Sequence, residues 1–266
     1  MANRIEKVFA RLKNARRKAL IGYLTAGFPA KSAFGKLVRV LENSGVDLLE
    51  VGVPFSDPIA DGPTIQHASQ VALKNGVTLD WILQSVKSLR RDGVELPIIM
   101  MSYCNPIQAM GLARFFSTAQ AAGVDGLIIP DMIPEESADY SRLARKYQID
   151  LIYLVAPTTP KPRIREIARK TSGFLYAVSL TGVTGVRTAL PGHVNAFLHY
   201  VKDVSPKPVA VGFGLSTPTQ VHEISRSVDG VIVGSALIRA IEKSSKPPYP
   251  GVVRFIRSLK GALNAS

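Results

Sequence analysis

The chain has 266 residues, of which 46% are hydrophobic, and its 33 Lys and Arg against 20 Asp and Glu leave a net charge of +13. This length can bury a large core, and the absence of an apolar run of 18 residues excludes a predicted membrane span. The excess of basic residues is not accompanied by a nucleic-acid recognition motif or by interleaved aromatic residues. We therefore expect no nucleic-acid and no membrane partner. A single cysteine, Cys104, rules out an internal disulfide and favours a reducing compartment, the cytoplasm.

Short apolar runs alternate with segments of helical periodicity along the chain. The apolar, β-branched runs predict eight strands, at Ala19–Thr25, Asp47–Val53, Pro97–Ser102, Gly126–Ile129, Asp150–Val155, Phe174–Ser179, Pro208–Gly212 and Gly230–Val233. Helical spacing predicts helices at Arg4–Leu12, Ser32–Asn43, Ile65–Asn75, Thr78–Arg91, Leu112–Ala122, Pro134–Lys146, Ile164–Lys170, His193–Val204, Pro218–Ser227 and Val252–Ala262. Glu135 and Glu136 would lie in the first turn of their helix, where acidic residues suit its dipole.

Eight strand–helix units in about 250 residues are typical of a (β/α)₈ barrel. The strands lack polar alternation, as expected for strands that are covered on both faces. The alternative, a doubly wound open sheet, loses support because no G-x-G-x-x-G follows the first strand. No linker composition interrupts the pattern. We therefore predict an α/β fold, a single TIM-barrel domain over residues 1–266 with an extra N-terminal helix.

The segment Leu48–Gln66, LLEVGVPFSDPIADGPTIQ, holds two carboxylates that a structural role explains poorly. Glu50 lies inside an apolar run, where an unpaired carboxylate is costly unless it is protonated or partnered. Asp61 follows in a loop rich in Pro, Asp and Gly. A carboxyl group at a strand end and another in the next loop are a common acid/base arrangement. The competing interpretations make Glu50 half of a buried ion pair and Asp61 an ordinary turn residue.

Two glycine motifs end the last two predicted strands, on the active face of a barrel. Gly212-Phe213-Gly214 follows strand seven, and Gly234-Ser235-Ala236 follows strand eight just before a helix. Backbone N–H groups at such positions bind phosphate, although either motif alone would also fit a tight turn. The long loop Ser179–Gly192 predicts a hinged lid that would bring Thr184 and Gly185 to the site, an ordinary surface loop being the alternative.

The acidic segment Leu48–Gln66 resembles the signature of the tryptophan synthase alpha chain family. Further similar motifs follow the family's order over nearly the whole chain, at Tyr23–Gly27, Met101–Pro106, Pro130-Asp131, Gly182–Gly185, Gly212–Gly214 and Gly234-Ser235. The short glycine pieces recur in many phosphate-binding barrels. The acidic segment is far more specific, and it identifies the chain as a member of this family.

The resemblance implies a lyase of tryptophan biosynthesis that cleaves indole-3-glycerol phosphate to indole and glyceraldehyde 3-phosphate. This retro-aldol reaction needs no metal and no organic cofactor in this chain. The resemblance makes Glu50 the general acid/base, makes Asp61 the acceptor of the indole N–H hydrogen bond, and gives Tyr176 a positioning role instead of a core-filling one. It also implies substrate-binding roles for Gly185, Gly214, Gly234 and Ser235 at the phosphate, and for Tyr23, Met101, Ile128 and Phe213 around the indole.

A partner is implied as well, a pyridoxal-phosphate-dependent beta chain that receives indole through a tunnel in an alpha2beta2 heterotetramer. The implied contact positions are Ser56, Asp57, Pro58, Asn105 and Pro106. Two alternatives remain, a non-catalytic activator of the beta chain and another sugar-phosphate barrel enzyme. Intact Glu50 and Asp61 argue against the first, and the acidic segment argues against the second. The basic charge has no role in the chemical step.

Overall fold

Parallel strands form a ring inside a layer of helices, in a computed structural model whose described residues are 3–178, 192–212, 214–244 and 246–265. The strands are β1 Ala19–Thr25, β2 Leu48–Gly52, β3 Ile98–Met101, β4 Gly126–Ile128, β5 in two segments, Asp150–Ile152 and Leu154–Val155, β6 Leu175–Val178, β7 Val209–Gly212 and β8 Gly230–Val233. The helices are α1 Arg4–Asn14, α2 Lys31–Ser44, α3 Pro63–Lys74, α4 Leu79–Arg91, α5 Cys104–Met110, α6 Leu112–Ala122, α7 Ala138–Tyr147, α8 Lys161–Lys170, α9 Gly192–Val204, α10 Pro218–Ser225, α11 Ser235–Lys243 and α12 Pro250–Asn264. Within the described ranges, no helix combines the length and apolar character needed to cross a bilayer.

The strand order closes the ring. Strands pair in the order β5-β4-β3-β2-β1-β8-β7-β6, and the second segment of β5 pairs with β6. The predicted eight-stranded barrel is therefore confirmed. The prediction of one continuous strand at Asp150–Val155 is wrong in detail, because the strand is interrupted at Tyr153. The N–H of Tyr153 donates to the Thr171 hydroxyl at 3.1 Å, while its carbonyl oxygen accepts from Tyr176 N–H at 3.0 Å.

The predicted extra N-terminal helix is present as α1, and it covers the N-terminal end of the barrel. Its side chains Ile5, Phe9 and Leu12 are buried. The Phe9 ring centroid lies 5.7 Å from that of Phe174, which directly precedes β6. A Cβ atom on Gly126 of β4 would lie only 3.0 Å from Ile5, so the glycine admits this close packing. The helix thus closes one end of the barrel with apolar side chains.

The predicted helix at Pro134–Lys146 starts later than expected. It begins at Ala138, after a turn at residues 134–136, so Glu135 and Glu136 do not lie in its first turn. The carboxylate of Glu135 instead accepts two hydrogen bonds from the Arg163 guanidinium, at 2.6 and 2.9 Å. The helix dipole was the wrong explanation for these acidic residues, since a contact between the turn before α7 and the start of α8 was not visible in the local pattern.

Helix α5 was not predicted as an element. It directly follows β3, and its first N–H, that of Cys104, donates to the Asp131 carboxylate at 3.0 and 3.2 Å. Side-chain acceptors at a helix start usually come from the residue before the helix. Here the acceptor comes from the loop after β4, which the sequence around α5 does not reveal.

Candidate active site

A cavity of about 110 Å³ opens at the C-terminal ends of the strands, between the barrel and α11. It is lined by Tyr23, Glu50, Asp61, Gly62, Ile65, Met101, Tyr176, Gly214, Leu215, Ile232, Gly234, Ser235, Ala236 and Arg239. This volume is below the range of about 300–1,000 Å³ that is usual for ligand sites.

Glu50 is a buried carboxyl group that faces this cavity. It stands in the middle of β2, in register with Tyr23 of β1, and is only 1% exposed. Its Oε2 atom has no hydrogen-bond partner among the described residues. Burial, and to a smaller extent the negative charge of Asp61, raise the pKa of Glu50 to about 8. A carboxyl group in this state exchanges protons near neutral pH, as a general acid/base must.

Asp61 enters the same cavity from the loop between β2 and α3. The Tyr103 hydroxyl donates to its Oδ2 at 3.1 Å and accepts from Ala60 N–H at 3.0 Å. Burial raises the pKa of Asp61 to about 6, and the hydrogen bond from Tyr103 partly opposes this rise. Asp61 is thus predominantly ionised above pH 6 and is held in place by Tyr103.

Tyr23 and Tyr176 carry buried hydroxyl groups beside the two carboxyl groups. A Cβ atom on Gly52 would lie 2.0 Å from the Tyr23 hydroxyl, and one on Gly212 would lie 2.2 Å from the Tyr176 hydroxyl. Only glycine fits these two strand ends, because any side chain there would collide with a ring. Burial raises the pKa of both tyrosines well above the usual 10. Both hydroxyls therefore stay protonated and can donate hydrogen bonds.

The far end of the cavity is suited to an anion. Gly234 precedes the first turn of α11, and Ser235 and the next N–H groups of that turn have no partner within the helix. Gly214 has a φ of +75°, in the left-handed region that favours glycine. Arg239 lies one turn further along α11, is exposed, and its Nη1 is 3.4 Å from the Thr64 hydroxyl. Free N–H groups and a cation together favour a phosphate.

The structure gathers many of the predicted substrate-binding residues around one cavity but not all of them. Tyr23, Met101, Gly214, Gly234 and Ser235 line it, as do the three predicted catalytic residues. Ile128 is fully buried in β4 and does not line it. The remaining three, Thr184, Gly185 and Phe213, lie outside the described residues, as does the predicted lid.

Sequence reasoning did not select several lining residues. Ile65, Leu215 and Ile232 supply apolar walls, but nothing in the sequence separates them from ordinary core residues. Arg239 had a usable signal, since it stands four residues after Ser235 and hence on the same face of the following helix. Tyr103 lies in the family-like motif Met101–Pro106, but its bond to Asp61 depends on the loop conformation.

The predicted partner-contact residues lie near each other on the same end of the barrel. Ser56 and Asp57 are exposed in the loop after β2, and Asn105 and Pro106 belong to α5 after β3. Ile59 in the first of these loops is 82% exposed, the most exposed large apolar side chain of the described residues. The Phe55 ring packs on Tyr103 at 5.3 Å, so this surface is connected to Asp61 through one side chain.

The chain matches known proteins over nearly its whole length. The family model described as tryptophan synthase alpha chain matches residues 9–264. The tryptophan synthase alpha chain of Roseiflexus castenholzii is 48% identical over 260 residues, which cover 97% of this chain and 100% of that protein. The corresponding chain of Geobacter sulfurreducens is 44% identical over 262 residues, covering 98% and 99%.

Solved structures agree in fold as well as in sequence. Tryptophan synthase subunit alpha from Legionella pneumophila superposes with a TM-score of 0.92 at 37% identity, and the match covers 100% of both chains. A chain of Mycobacterium tuberculosis tryptophan synthase superposes with a TM-score of 0.90 at 36% identity, covering 99% of each. The chain therefore belongs to the tryptophan synthase alpha chain family, whose members are lyases of tryptophan biosynthesis.

Proposed function

We propose that Glu50 is the group that moves protons when this lyase cleaves indole-3-glycerol phosphate to indole and glyceraldehyde 3-phosphate. The observation that supports this role most strongly is a carboxyl oxygen that is buried, has no partner among the described residues, and faces the cavity. A buried structural carboxylate would be paired, because an unpaired one destabilises the fold. The pKa of about 8 lets Glu50 hold a proton and release it.

The proton transfers balance with a single carboxyl group. Protonated Glu50 gives its proton to C3 of the indole ring, and the resulting carboxylate takes the proton of the side-chain hydroxyl next to the bond that breaks. The oxygen then forms the aldehyde carbonyl, and the electron pair of the carbon–carbon bond restores the aromatic indole. Glu50 ends the cycle protonated, so the reaction needs no further acid and no oxidant.

Asp61 is proposed to stabilise the charge that develops in this step. Protonation at C3 places positive charge on the indole nitrogen, and a carboxylate that accepts its N–H hydrogen bond lowers the energy of that state. Tyr103 supports the role, because its hydroxyl holds one oxygen of Asp61 and leaves the other for the substrate. The negative charge of Asp61 also raises the pKa of Glu50.

The other predicted residues divide between orientation and binding. Tyr176 positions Glu50 or the substrate with a hydroxyl that stays protonated. The indole is proposed to lie against Tyr23, Met101, Ile128 and Phe213. The phosphate is proposed to bind Gly185, Gly214, Gly234 and Ser235, and Thr184 is proposed as a further substrate-binding residue.

We further propose that the chain works with a beta chain that carries the pyridoxal phosphate, in an alpha2beta2 heterotetramer. The exposed Ile59 beside the predicted contact residues Ser56, Asp57 and Pro58 supports a protein contact on this face, since large exposed apolar groups mark such sites. Asn105 and Pro106 extend the surface. The same proposal treats the chain as one catalytic domain that acts in the cytoplasm.

The test is indole release from indole-3-glycerol phosphate by the wild type, Glu50→Gln and Asp61→Asn, each with and without a beta chain. Glu95→Gln is a matched control, because that carboxylate is 81% exposed and remote from the cavity lining. We expect wild-type and control activity to rise with the beta chain and both site variants to be impaired. An inactive wild type in the complex would instead support the non-catalytic activator.

A further inference from the structure

A second and larger cavity, of about 580 Å³, lies at the opposite, N-terminal end of the barrel. Its walls come from α1 and the residues after it, from the segment between α9 and β7, and from residues just before β6 and β8. The volume falls within the usual range for small-molecule sites. Its charged lining residues are the cations Lys13, Arg16, Arg17, Lys18, Lys202 and Lys207 and the acids Glu6 and Asp229.

Both acidic residues of this basic cavity already have partners. Glu6 pairs with Lys207 at 3.5 Å. Asp229 pairs with Lys202 and accepts Val209 N–H at 2.8 Å. Among the described residues, neither carboxylate forms a salt bridge with the other lining cations, although the charge of Asp229 acts on Lys18.

The remaining cations lack acidic partners. Within the described residues, the side chains of Lys13 and Arg16 form no hydrogen bond or ion pair, and Arg17 donates only to the neutral Asn264 amide at 2.8 Å. The Lys18 ammonium donates to Val228 O at 2.7 Å. Burial lowers the pKa of Lys18, the negative charge of Asp229 partly opposes this fall, and the positive charge of Lys202 adds to it. Uncompensated like charges around one concave surface favour an anion there.

Arg16 combines a cavity-lining side chain with an unfavourable backbone conformation. It follows the end of α1 with a φ of +54°, and the N–H of Arg17 bonds to Leu12 O across it at 2.8 Å. This is the helix-ending position that glycine usually fills. Gln148 has the same conformation after α7, at a φ of +55°, so Arg16 supports an anion site through the charge it brings to the cavity wall and not through its backbone.

We propose that this basic cavity binds a small polyanion with two or more linked phosphate groups. The unpaired cations come from four different residues of the wall, and a chain of phosphates offers more charge and more oxygens to them than a single phosphate does. Arginine is suited to this role, because its planar fork matches phosphate oxygens. Phe9, Leu12 and Pro206 give the cavity an apolar wall as well.

The experiment is isothermal titration of the full chain with tripolyphosphate at about 0.15 M salt, which screens weak surface binding. Saturating glycerol 3-phosphate is present to fill the catalytic phosphate site. The variants are Arg16→Gly, which keeps the backbone turn, and Lys13→Gln, with the exposed Lys36→Gln on α2 as matched control. Thermal unfolding confirms that each variant is folded.

We expect one tripolyphosphate per chain, weakened about tenfold by Arg16→Gly and by Lys13→Gln, as for the loss of one charge-assisted hydrogen bond. Lys36→Gln should leave the affinity unchanged, and orthophosphate should bind at least about tenfold more weakly than tripolyphosphate. A parallel titration with ATP distinguishes a nucleotide from an inorganic polyphosphate, and a preference for either supports the site. Wild-type affinity in both cavity variants, an equal loss in Lys36→Gln, or binding abolished by glycerol 3-phosphate would overturn the proposal.

Discussion

The two ends of the barrel treat buried and half-buried carboxyl groups in opposite ways. At the N-terminal end, Asp47, Asp125 and Asp229 each stand directly before a strand and form an ion pair with a lysine or arginine. Each also accepts a backbone N–H from a neighbouring strand, at 2.8 Å in all three cases. The carboxylates at this end are therefore satisfied and hold adjacent strands together.

At the C-terminal end, Glu50 is as buried as Asp125 but has a different environment, with 1% and 5% of the two residues exposed. Asp125 accepts from Arg90 at 2.7 Å and from Arg4 at 3.1 Å. Glu50 keeps one oxygen without a donor among the described residues, next to another acid, Asp61. Burial alone does not distinguish a structural carboxyl group from a catalytic one. The hydrogen-bond donors around the carboxyl group distinguish them.

The largest expected effect is on catalysis at the C-terminal end of the barrel, where Glu50 has no ion-pair partner among the described residues. Glu50→Gln removes the transferable proton but keeps the shape, so we expect kcat for indole formation to fall by about 10²–10⁴-fold. The free energy of unfolding at pH 8 should not decrease, because no ion pair is lost and a neutral amide is easier to bury than a carboxylate. Indole assays and urea unfolding measure the two quantities. A marked loss of stability would place Glu50 with the structural carboxylates.

The reverse result, a loss of stability with little change in catalysis, is expected at the N-terminal end of the barrel, where the aspartates form ion pairs. Asp125→Asn leaves the Arg90 guanidinium, whose side chain is 11% exposed, without a counter-ion, which should cost about 3–5 kcal/mol in the free energy of unfolding. Below the unfolding transition, kcat should stay near that of the wild type. Asp92→Asn, which breaks an exposed pair with Arg39, is the control and should cost about 0–1 kcal/mol.

The comparison also predicts a pH dependence of stability. The pKa of Glu50 is about 8 in the folded chain against a usual value of 4.5, so between these values the folded state binds more protons than the unfolded state. Its contribution to stability is therefore complete below pH 4.5 and is lost as the pH rises to about 8. The difference in unfolding free energy between wild type and Glu50→Gln should fall by up to about 1.4 kcal/mol per pH unit in this window.

The Asp61→Asn substitution tests the cause of this pH dependence of the unfolding free energy. Removal of the neighbouring negative charge should lower the pKa of Glu50, so the upper end of the window should move below pH 8. Unfolding curves of the single and double variants at several pH values measure the shift. An unchanged window would mean that Asp61 does not interact with Glu50 in solution.

The sequence indicated the proposed catalytic carboxyl groups better than the structural ones, although both left signals. Glu50 and Asp61 were found because they lie in one specific segment. The structural aspartates stand in a recurring pattern, Val46-Asp47, Val124-Asp125 and Val228-Asp229, each directly before a strand. This repeat could have predicted a common role. Their lysine and arginine partners could not be predicted, because they come from distant segments that only the closed barrel brings together.

Elements were predicted well where the hydrophobic pattern determines them and poorly where a tertiary contact does. All eight barrel strands were expected, since their runs are apolar on both faces. The interruption at Tyr153 was missed because it depends on the Thr171 hydroxyl. The start of α7 was misplaced because the turn before it is held by an ion pair of Glu135 with Arg163, which belongs to α8. Arg239 was missed, although it lies on the same face of α11 as Ser235.

Arg239 gives a smaller prediction for the C-terminal end of the barrel. The acids around Glu50 have no cation beside them, but the proposed phosphate site has one, Arg239. Arg239→Gln should raise KM for indole-3-glycerol phosphate about tenfold, or about 1.4 kcal/mol, with kcat little changed, because phosphate binding is the same in ground and transition states. Arg254→Gln on the distant α12 is the control. A fall in kcat without a change in KM would contradict a binding role.

The smallest expected effect tests the backbone strain at Arg16, beside the basic cavity. Arg16 has a φ of +54° at the end of α1, so Arg16→Gly should raise the free energy of unfolding by about 0.5–1 kcal/mol. The same substitution one residue earlier, Ala15→Gly, should lower it by a similar amount, because φ there is −82° and glycine gains nothing. Urea unfolding of both variants measures the pair. A gain at position 16, together with weaker polyphosphate binding, would show that this end of the barrel gives up stability for a charged side chain, as the opposite end does at Glu50.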